Sequence, residues 1–294
     1  MSPSTFRNIL NHPANQGRQV YAALRYLAWQ VSKRCFVAHW DIPYHGLKLR
    51  CHGDSHSASA AIYFNGLADY REMVFIRRYL RPGDAFLDVG ANVGVYTLLA
   101  ASLVGKSGVV HAFEPGILAS ARLDENIALN QLANVTVHRF GLSDRQGSAA
   151  FSAEGDDCVA SLIPGGAIAT AGNVLQVQCV RLDDYLPSVK WAMAKIDIEG
   201  AEPLAIRGAI THLAAGNPPV LQIEMDGYSR RFGVETHDFI AELASLGYDV
   251  GIFDDATNQI EFTTTPWERG VLNVLAVNRS RRAEVQARLL ASKQ

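Results

Sequence analysis

Two short segments of the sequence carry residues that could bind a nucleoside. In the first, an apolar run ends at Asp88, and Gly90, Asn92 and Gly94 follow it. Glycines at a strand-to-helix turn let the backbone bend and approach a ligand closely. The spacing D-x-G-x-N-x-G differs from the dinucleotide fingerprint G-x-G-x-x-G, and a fixed carboxylate at the turn would oppose a pyrophosphate. Asp88 favours instead a ligand that carries an ammonium or sulfonium cation.

The second segment ends another apolar run at Glu114, roughly 20 positions beyond the loop, where an acidic side chain can accept both hydrogen bonds of a ribose diol. Each carboxylate also has a purely structural interpretation, since Glu114 could cap the following helix and Asp88 could be an N-cap. Together they predict a pocket for a positively charged nucleoside with free ribose hydroxyls. S-adenosylmethionine is such a ligand.

A further segment alternates charged and apolar residues and contains Lys195, Asp197 and Glu199. An extended backbone would direct all three side chains to one side, and because unpaired buried charges are costly, we expect them to face a cleft. Asp197 or Glu199 would then be the general base for an acceptor hydroxyl, with Lys195 pairing with one carboxylate. Alternatively, Asp197 and Glu199, with Glu224, would bind a divalent metal ion. A satisfied ion-pair network around Gly200 is the third interpretation.

The elements that position these residues follow from the apolar periodicity. Short apolar or β-branched runs alternate with helical patterns, which predicts an α/β fold with a doubly wound, mainly parallel sheet of seven strands. Only residues 149–180 interrupt the alternation, with two candidate strands. The seven runs are 85–89, 108–113, 135–140, 191–196, 220–223, 248–253 and 272–277.

We expect an N-terminal extension over residues 1–69, made of an amphipathic helix and short strands, a main domain over 70–278 and a basic tail over 279–294. The predicted helix, 20–37, is either a membrane-surface or partner-docking arm or a helix that packs on the main domain. Residues 1–50 hold seven Lys and Arg against one Asp, whereas the main domain is acidic, which argues against nucleic acid as a partner.

Five short sequence motifs resemble those of the FkbM-type methyltransferases. This is a family of S-adenosylmethionine-dependent O-methyltransferases with a Rossmann-like, seven-stranded methyltransferase fold. The resemblance extends from about residue 70 to 277 and implies methylation of a hydroxyl on a sugar, glycolipid, polysaccharide or natural product. The motifs are Pro-Gly-Asp leading into the loop at 82–94, Phe-Glu-Pro at 113–115, Gly-Leu-Ser-Asp at 141–144, Arg-Leu-Asp-Asp-Tyr at 181–185 and Lys-Ile-Asp-Ile-Glu-Gly-Ala-Glu at 195–202.

The resemblance also implies further cofactor contacts. In the methyltransferase fold the loop at 141–144 passes the adenine, so Ser143 or Asp144 would accept from its exocyclic amine, unless these residues only form a β-turn. Independently of the resemblance, Glu72 precedes the first core strand and could close over the cofactor from the first helix of the main domain. The alternatives to a methyltransferase are an NAD(P)-dependent oxidoreductase on a similar sheet and a non-catalytic cofactor-binding module.

Composition sets the remaining expectations. The chain has 294 residues, of which 48% are hydrophobic and 19% charged, as in globular proteins. It has no apolar stretch of the roughly 20 residues that cross a bilayer, and its first residues lack an apolar signal region, so we expect a cytoplasmic protein. The sequence leaves the acceptor, the metal requirement and the oligomeric state open.

Overall fold

The computed structural model describes residues 7, 9–34, 39–53, 62–63, 65–67, 69–153, 160–163 and 174–291. We number the helices α1 (Gln19–Arg34), α2 (Tyr70–Tyr79), α3 (Val95–Val104), α4 (Ile117–Leu129), α5 (Leu182–Tyr185), α6 (Glu202–Arg207), α7 (Ile210–Ala214), α8 (Thr236–Ser245) and α9 (Arg282–Ala291). We number the strands β1 (His39–Tyr44), β2 (Leu47–His52), β3 (Ala85–Val89), β4 (Val109–Phe113), β5 (Val135–His138), β6 (Gly141–Leu142), β7 (Gly147–Ala153), β8 (Ala160–Leu162), β9 (Val174–Val180), β10 (Met193–Ile196), β11 (Val220–Glu224), β12 (Tyr248–Asp254), β13 (Gln259–Phe262) and β14 (Asn273–Asn278).

The larger sheet has eight strands in the order β13-β12-β14-β11-β10-β3-β4-β5. Neighbours from β11 to β5 are parallel, whereas β14 runs antiparallel between β11 and β12. The predicted doubly wound α/β fold is confirmed, with one correction to the strand number. The eighth strand, β13, pairs antiparallel with β12, and it was missed because its residues, Gln-Ile-Glu-Phe, are mostly exposed and resemble a polar loop.

The strand order reverses at β3. The chain runs from β3 to β4 and β5 on one side and later returns to β10 and β11 on the other. Val89 pairs with both Phe113 and Ile196, and Ile196 pairs with Ile223. The carboxyl ends of β3, β4, β10 and β11 therefore lie along one edge, at the switch point where open parallel sheets bind their ligands.

Helices cover both faces of this sheet. Phe75 of α2, Leu98 of α3 and Leu289 of α9 belong to one buried cluster, and Ile206 of α6 and Phe239 of α8 belong to another. Part of the predicted basic tail is thus folded: α9 buries Leu289, and Arg288 on the same helix pairs with Asp84 at 2.8 Å.

A smaller sheet, in the order β6-β9-β7-β8, forms where the sequence pattern loses its alternation. Two of its strands, β7 and β9, correspond to the predicted ones, and β6 and β8 are additional. Phe151, Leu162 and Cys179 of this sheet pack around Ala201, which immediately precedes α6. The smaller sheet is thereby attached beside the turn that follows β10.

The N-terminal extension packs onto the main domain. Trp29 of α1 and Leu49 of β2 are fully buried in the same cluster as α2 and α3, and the Tyr44 hydroxyl donates to the carbonyl of Val95 at 3.1 Å. Helix α1 begins one residue before the predicted start, and residues 35–37 of the prediction lie outside the described residues. Among the helices described, none combines the length and apolarity needed to span a bilayer.

Candidate active site

The loop after β3 is fixed by its glycines. Gly90, Asn92 and Gly94 have φ angles of 78°, 51° and 94°, in the left-handed region that glycine adopts most readily. A Cβ on Gly90 would lie 1.9 Å from the carbonyl oxygen of Asp197, and one on Gly94 would lie 2.5 Å from Cδ1 of Leu123. The glycine requirement at 90 therefore comes from the backbone after β10, which the loop touches, rather than from a ligand as the sequence suggested.

Asp88 lies beneath this loop. Its side chain is fully buried, and Oδ2 accepts a 2.6 Å hydrogen bond from the Thr97 hydroxyl at the start of α3. Within the described part of the chain, Oδ1 has no hydrogen-bond partner. Burial raises the pKa of Asp88, and the charge of Lys195 opposes that rise. This position differs from the expected direct contact with a cationic ligand, because a strand residue just before the turn is covered by the following helix.

Glu114, at the end of β4, connects two loops. One carboxylate oxygen accepts from the Asn92 backbone N–H at 2.8 Å and the other from the Gly116 N–H at 2.7 Å. The side chain thus has the capping role that the sequence left open, since Gly116 is the N-cap of α4. Each carboxylate oxygen can accept a second hydrogen bond, so this arrangement is also compatible with a ribose diol. Burial raises the pKa of Glu114, and its two backbone donors oppose that rise.

Three other predicted cofactor-binding residues lie on neighbouring elements. The Ser143 hydroxyl is buried after β6 and donates to Oδ1 of Asp144 at 3.1 Å, whereas the Asp144 side chain is 36% exposed. Glu72 lies on α2, and its pKa is raised by burial and then by the charge of Asp69. Asp144 is therefore the more accessible acceptor of the 141–144 loop.

The turn after β10 gathers the predicted catalytic charges. Lys195 is 4% exposed, and its Nζ lies 2.9 Å from Oδ2 of Asp197 and 4.7 Å from the ring centroid of Tyr96. Burial opposes the charge on Lys195, but Asp197 and Asp88 outweigh it and raise the pKa of the ammonium group. Lys195 therefore remains charged and holds Asp197 as a carboxylate.

Glu199 and Glu224 complete a carboxylate cluster with Asp197, and one oxygen of each lies within 4.8 Å of the others. The three do not converge by strand alternation alone, since β10 ends at Ile196 and Glu199 has a left-handed φ of 55°. Non-glycine residues in this conformation are concentrated at functional sites. The turn, rather than an extended strand, brings Glu199 to the cluster.

The carboxylates of the cluster differ in proton affinity. Burial, followed by the charges of Asp197 and Asp226, raises the pKa of Glu199 to about 7. Burial and then the charge of Asp197, together with a hydrogen bond to it, raise the pKa of Glu224 to about 10. For Asp197 itself, burial is outweighed by Lys195 and by the hydrogen bond with Glu224, so its pKa is lowered. At neutral pH the cluster thus holds a protonated Glu224, an ionised Asp197 and a Glu199 near its midpoint.

Several residues that support the site were not singled out from the sequence. The buried Glu202 accepts from the backbone N–H groups of Ile198 and Gly200 at 2.9 and 3.1 Å and so fixes the turn. The sequence contained evidence for this residue, since Glu202 is the last residue of the family motif at 195–202. The Tyr96 hydroxyl, by contrast, donates to Oδ2 of Asp69 at 2.8 Å, across a separation that no local pattern reveals.

Comparisons with known proteins identify the family of this chain. The family model for the methyltransferase FkbM domain matches residues 88–250. The 31-O-demethyl-FK506 methyltransferase FkbM of Streptomyces tacrolimicus is 39% identical over 84 residues, which cover 26% of this chain and 32% of that protein. The match therefore spans about a third of the length of this curated relative.

Solved structures are similar at lower sequence identity. The methyltransferase FkbM of Methylobacillus flagellatus KT has 15% identity and a TM-score of 0.43, over 74% of this chain and 52% of that one. A SAM-dependent O-methyltransferase of Thermotoga maritima has 12% identity and a TM-score of 0.39, over 70% of this chain and 64% of that one. Because the family model, whose match begins at Asp88 in β3, covers more than half of the 294 residues, the chain belongs to the methyltransferase FkbM domain family.

Proposed function

We propose that this chain is an S-adenosylmethionine-dependent O-methyltransferase that acts on a hydroxyl group of a sugar, glycolipid, polysaccharide or natural product. The observation that carries the proposal is the close contact between the loop after β3 and the turn after β10. These two segments lie so near each other that a Cβ on Gly90 would be 1.9 Å from the Asp197 carbonyl oxygen. A loop suited to a nucleoside and a carboxylate cluster suited to deprotonation therefore share one sheet edge. Membership of the family supports the same class of reaction.

The cofactor side of the proposal rests on acceptor groups along this edge. Glu114 would accept from the ribose hydroxyls with the lone pairs that Asn92 and Gly116 leave available, and Asp144 would accept from the adenine amine. Asp88 acts from below, through Thr97 and Lys195, as a positioning residue. S-adenosylmethionine, when bound, supplies a methyl group that its sulfonium has already activated.

At the acceptor, one proton must be removed from the hydroxyl group, and its oxygen must be held in line with the sulfur–methyl bond of the cofactor. We assign the general base to Glu199, because a base with a pKa near the working pH transfers protons most effectively, and that of Glu199 is about 7. Asp197 is a weaker candidate, since its oxygen is paired with Lys195 at 2.9 Å and its pKa is lowered. Lys195 and Glu224 thus position Asp197, whose negative charge in turn keeps the pKa of Glu199 high.

A divalent cation is the alternative use of the carboxylate cluster. Three carboxylates with oxygens within 4.8 Å of one another match the oxygen ligands preferred by Mg²⁺ and Ca²⁺. A bound cation would have to displace the proton of Glu224, so binding would release protons. Thermal unfolding with added MgCl₂ or with EDTA tests this alternative, and Glu224→Gln should abolish any metal-dependent shift.

Ligand-dependent thermal unfolding tests the cofactor assignment. S-adenosylmethionine and S-adenosylhomocysteine should stabilise the protein by about 2.7 kcal/mol when present at about 100 times their Kd, whereas NAD(P) should not. Glu114→Ala should remove most of this stabilisation, because the diol loses its acceptor. The exposed Glu268→Ala is the matched control and should retain it. Stabilisation by NAD(P) alone would instead favour an oxidoreductase.

The acceptor is identified by what receives the methyl group. Glycan and lipid extracts of cells with and without the gene should differ by one methyl-sized mass increment. Incubation of the extract from the deficient cells with purified protein and S-[methyl-³H]adenosylmethionine should restore it. A methyl ether would resist mild alkali, whereas a methyl ester would release labelled methanol and contradict methylation of a hydroxyl. No transfer by wild-type protein that nevertheless binds the cofactor would favour a non-catalytic module.

A further inference from the structure

Helix α1 presents an apolar stripe to solvent. Val20, Leu24, Leu27 and Val31 are 77%, 60%, 57% and 58% exposed, and their spacing of four, three and four residues places them on one side of the helix. We call these four residues the apolar stripe. Isolated exposed aliphatic residues are ordinary, but a contiguous row of large ones is typical of an interaction surface.

The opposite side of α1 is firmly packed, so the direction of the stripe is set by the fold. Ala22 and Trp29 are fully buried, and the Trp29 ring lies 4.4 Å from the Trp40 ring and 4.9 Å from the Tyr63 ring, between centroids. The Arg25 guanidinium also lies over the Tyr63 ring, 4.5 Å from its centroid. Rotating the helix to bury the stripe would expose the Trp29 side chain. Such a rotation is therefore disfavoured.

The charge of the segment indicates what the stripe contacts. The helix contains Arg25, Lys33 and Arg34, follows the exposed Arg18 and contains no Asp or Glu, although the chain as a whole has a net charge of −2. A surface that is both apolar and anionic satisfies this combination, and the surface of a bilayer with anionic lipids is of that kind. A second copy of α1 would instead bring like charges together.

We infer that α1 is a membrane-surface helix that docks this protein on anionic lipid. The helix lies parallel to the bilayer, with the stripe in the interfacial region and the positive charge of the segment close to the anionic headgroups. At 1.5 Å per residue its 16 residues extend about 24 Å along the surface. This inference does not depend on methyl transfer.

Co-sedimentation with lipid vesicles tests the inference on the full chain. The protein should bind vesicles of phosphatidylcholine with phosphatidylglycerol, bind vesicles of phosphatidylcholine alone much less, and dissociate as salt is raised. The double substitution Leu24→Ser/Leu27→Ser should lower the partition coefficient on anionic vesicles by about tenfold or more. Since both side chains are exposed, the variant should keep its thermal unfolding temperature.

Leu290→Ser is the matched control, because this leucine is 53% exposed on the basic helix α9 and lies outside the stripe. It should bind vesicles as the wild type does. Equal binding of the double variant and the wild type would overturn the inference, as would absence of binding by the wild type. A concentration-dependent dimer that Leu24→Ser/Leu27→Ser abolishes in analytical ultracentrifugation would assign the stripe to a second copy instead and would also overturn it.

Discussion

The ionisation of Glu199 is the most informative prediction for the proposed mechanism. Its pKa of about 7 results first from burial and then from the nearby charges of Asp197 and Asp226. With that pKa, about a tenth of the Glu199 side chains are ionised at pH 6 and about nine tenths at pH 8. Because the ionised form is the base, turnover limited by proton removal should rise roughly tenfold across this interval.

Two measurements follow this ionisation. Carbon-13 NMR of glutamate-labelled protein, which needs no known acceptor, should resolve two carboxyls that titrate near pH 7, those of Glu199 and Glu202. Loss of one of the two signals in Glu199→Gln identifies the Glu199 midpoint. Asp226→Asn should lower that midpoint, since it removes one of the carboxylates that raise the pKa of Glu199 while keeping an oxygen for the 2.8 Å hydrogen bond from the Tyr228 N–H. Once the acceptor is identified, Glu199→Gln should reduce turnover by about 10²- to 10⁴-fold and remove its rise with pH.

Asp197→Asn separates the base from its positioning partner. This variant should also lose turnover, but unlike Glu199→Gln it leaves the buried Lys195 without its 2.9 Å partner. Breaking a buried ion pair typically costs about 3–5 kcal/mol, so the free energy of unfolding should fall only in Asp197→Asn. Cofactor affinity should be nearly intact in both variants. A Glu199 carboxyl that titrates near its ordinary pKa of 4.5, or a Glu199→Gln variant that keeps the pH-dependent rise, would refute the assignment.

Two further predictions concern the fold around the site. Gly90→Ala should lower the free energy of unfolding in denaturant by several kcal/mol, because its Cβ would lie 1.9 Å from the Asp197 carbonyl oxygen. Gly105→Ala is the control and should lower it by only about 1 kcal/mol, because Gly105 has a φ of 63° but nothing within 4 Å of its Cβ position. Equal losses in the two variants would contradict this steric account. Burial, followed by the charge of His111, lowers the pKa of His138 to about 4. The unfolded state therefore binds the proton first, and the free energy of unfolding should fall as the pH drops from 6.5 towards 4. Calorimetry of His138→Gln should show a smaller fall over this interval, and an unchanged fall would exclude His138 as its cause.

Local sequence patterns were sufficient to predict the class of the fold and to choose the segments of the candidate site. Alternating apolar runs and helical segments are sufficient to predict a doubly wound sheet, because each element must bury one face. The D-x-G-x-N-x-G spacing located the turn after β3, and the observed left-handed angles at Gly90 and Gly94 explain the two glycines. The acid at Glu114 was found by its distance from that turn, since consecutive parallel strands end at the same edge.

Tertiary packing decided what each of these residues contacts. Asp88 is covered by Thr97 of α3, and Glu199 reaches the carboxylate cluster through a left-handed turn that Glu202 holds. Neither contact is encoded in a local period, because each joins elements whose relative position depends on the whole core. The pKa of Glu199 likewise depends on Asp226, which follows a different strand.

The N-terminal helix illustrates the same division. Periodicity predicted an amphipathic helix over residues 20–37 and left open whether its apolar side packs on the main domain. In the structure that side is exposed, and Trp29 on the opposite side is buried. A sequence period defines which side chains lie together along a helix, but only the arrangement of the neighbouring aromatic rings determines which side faces the core.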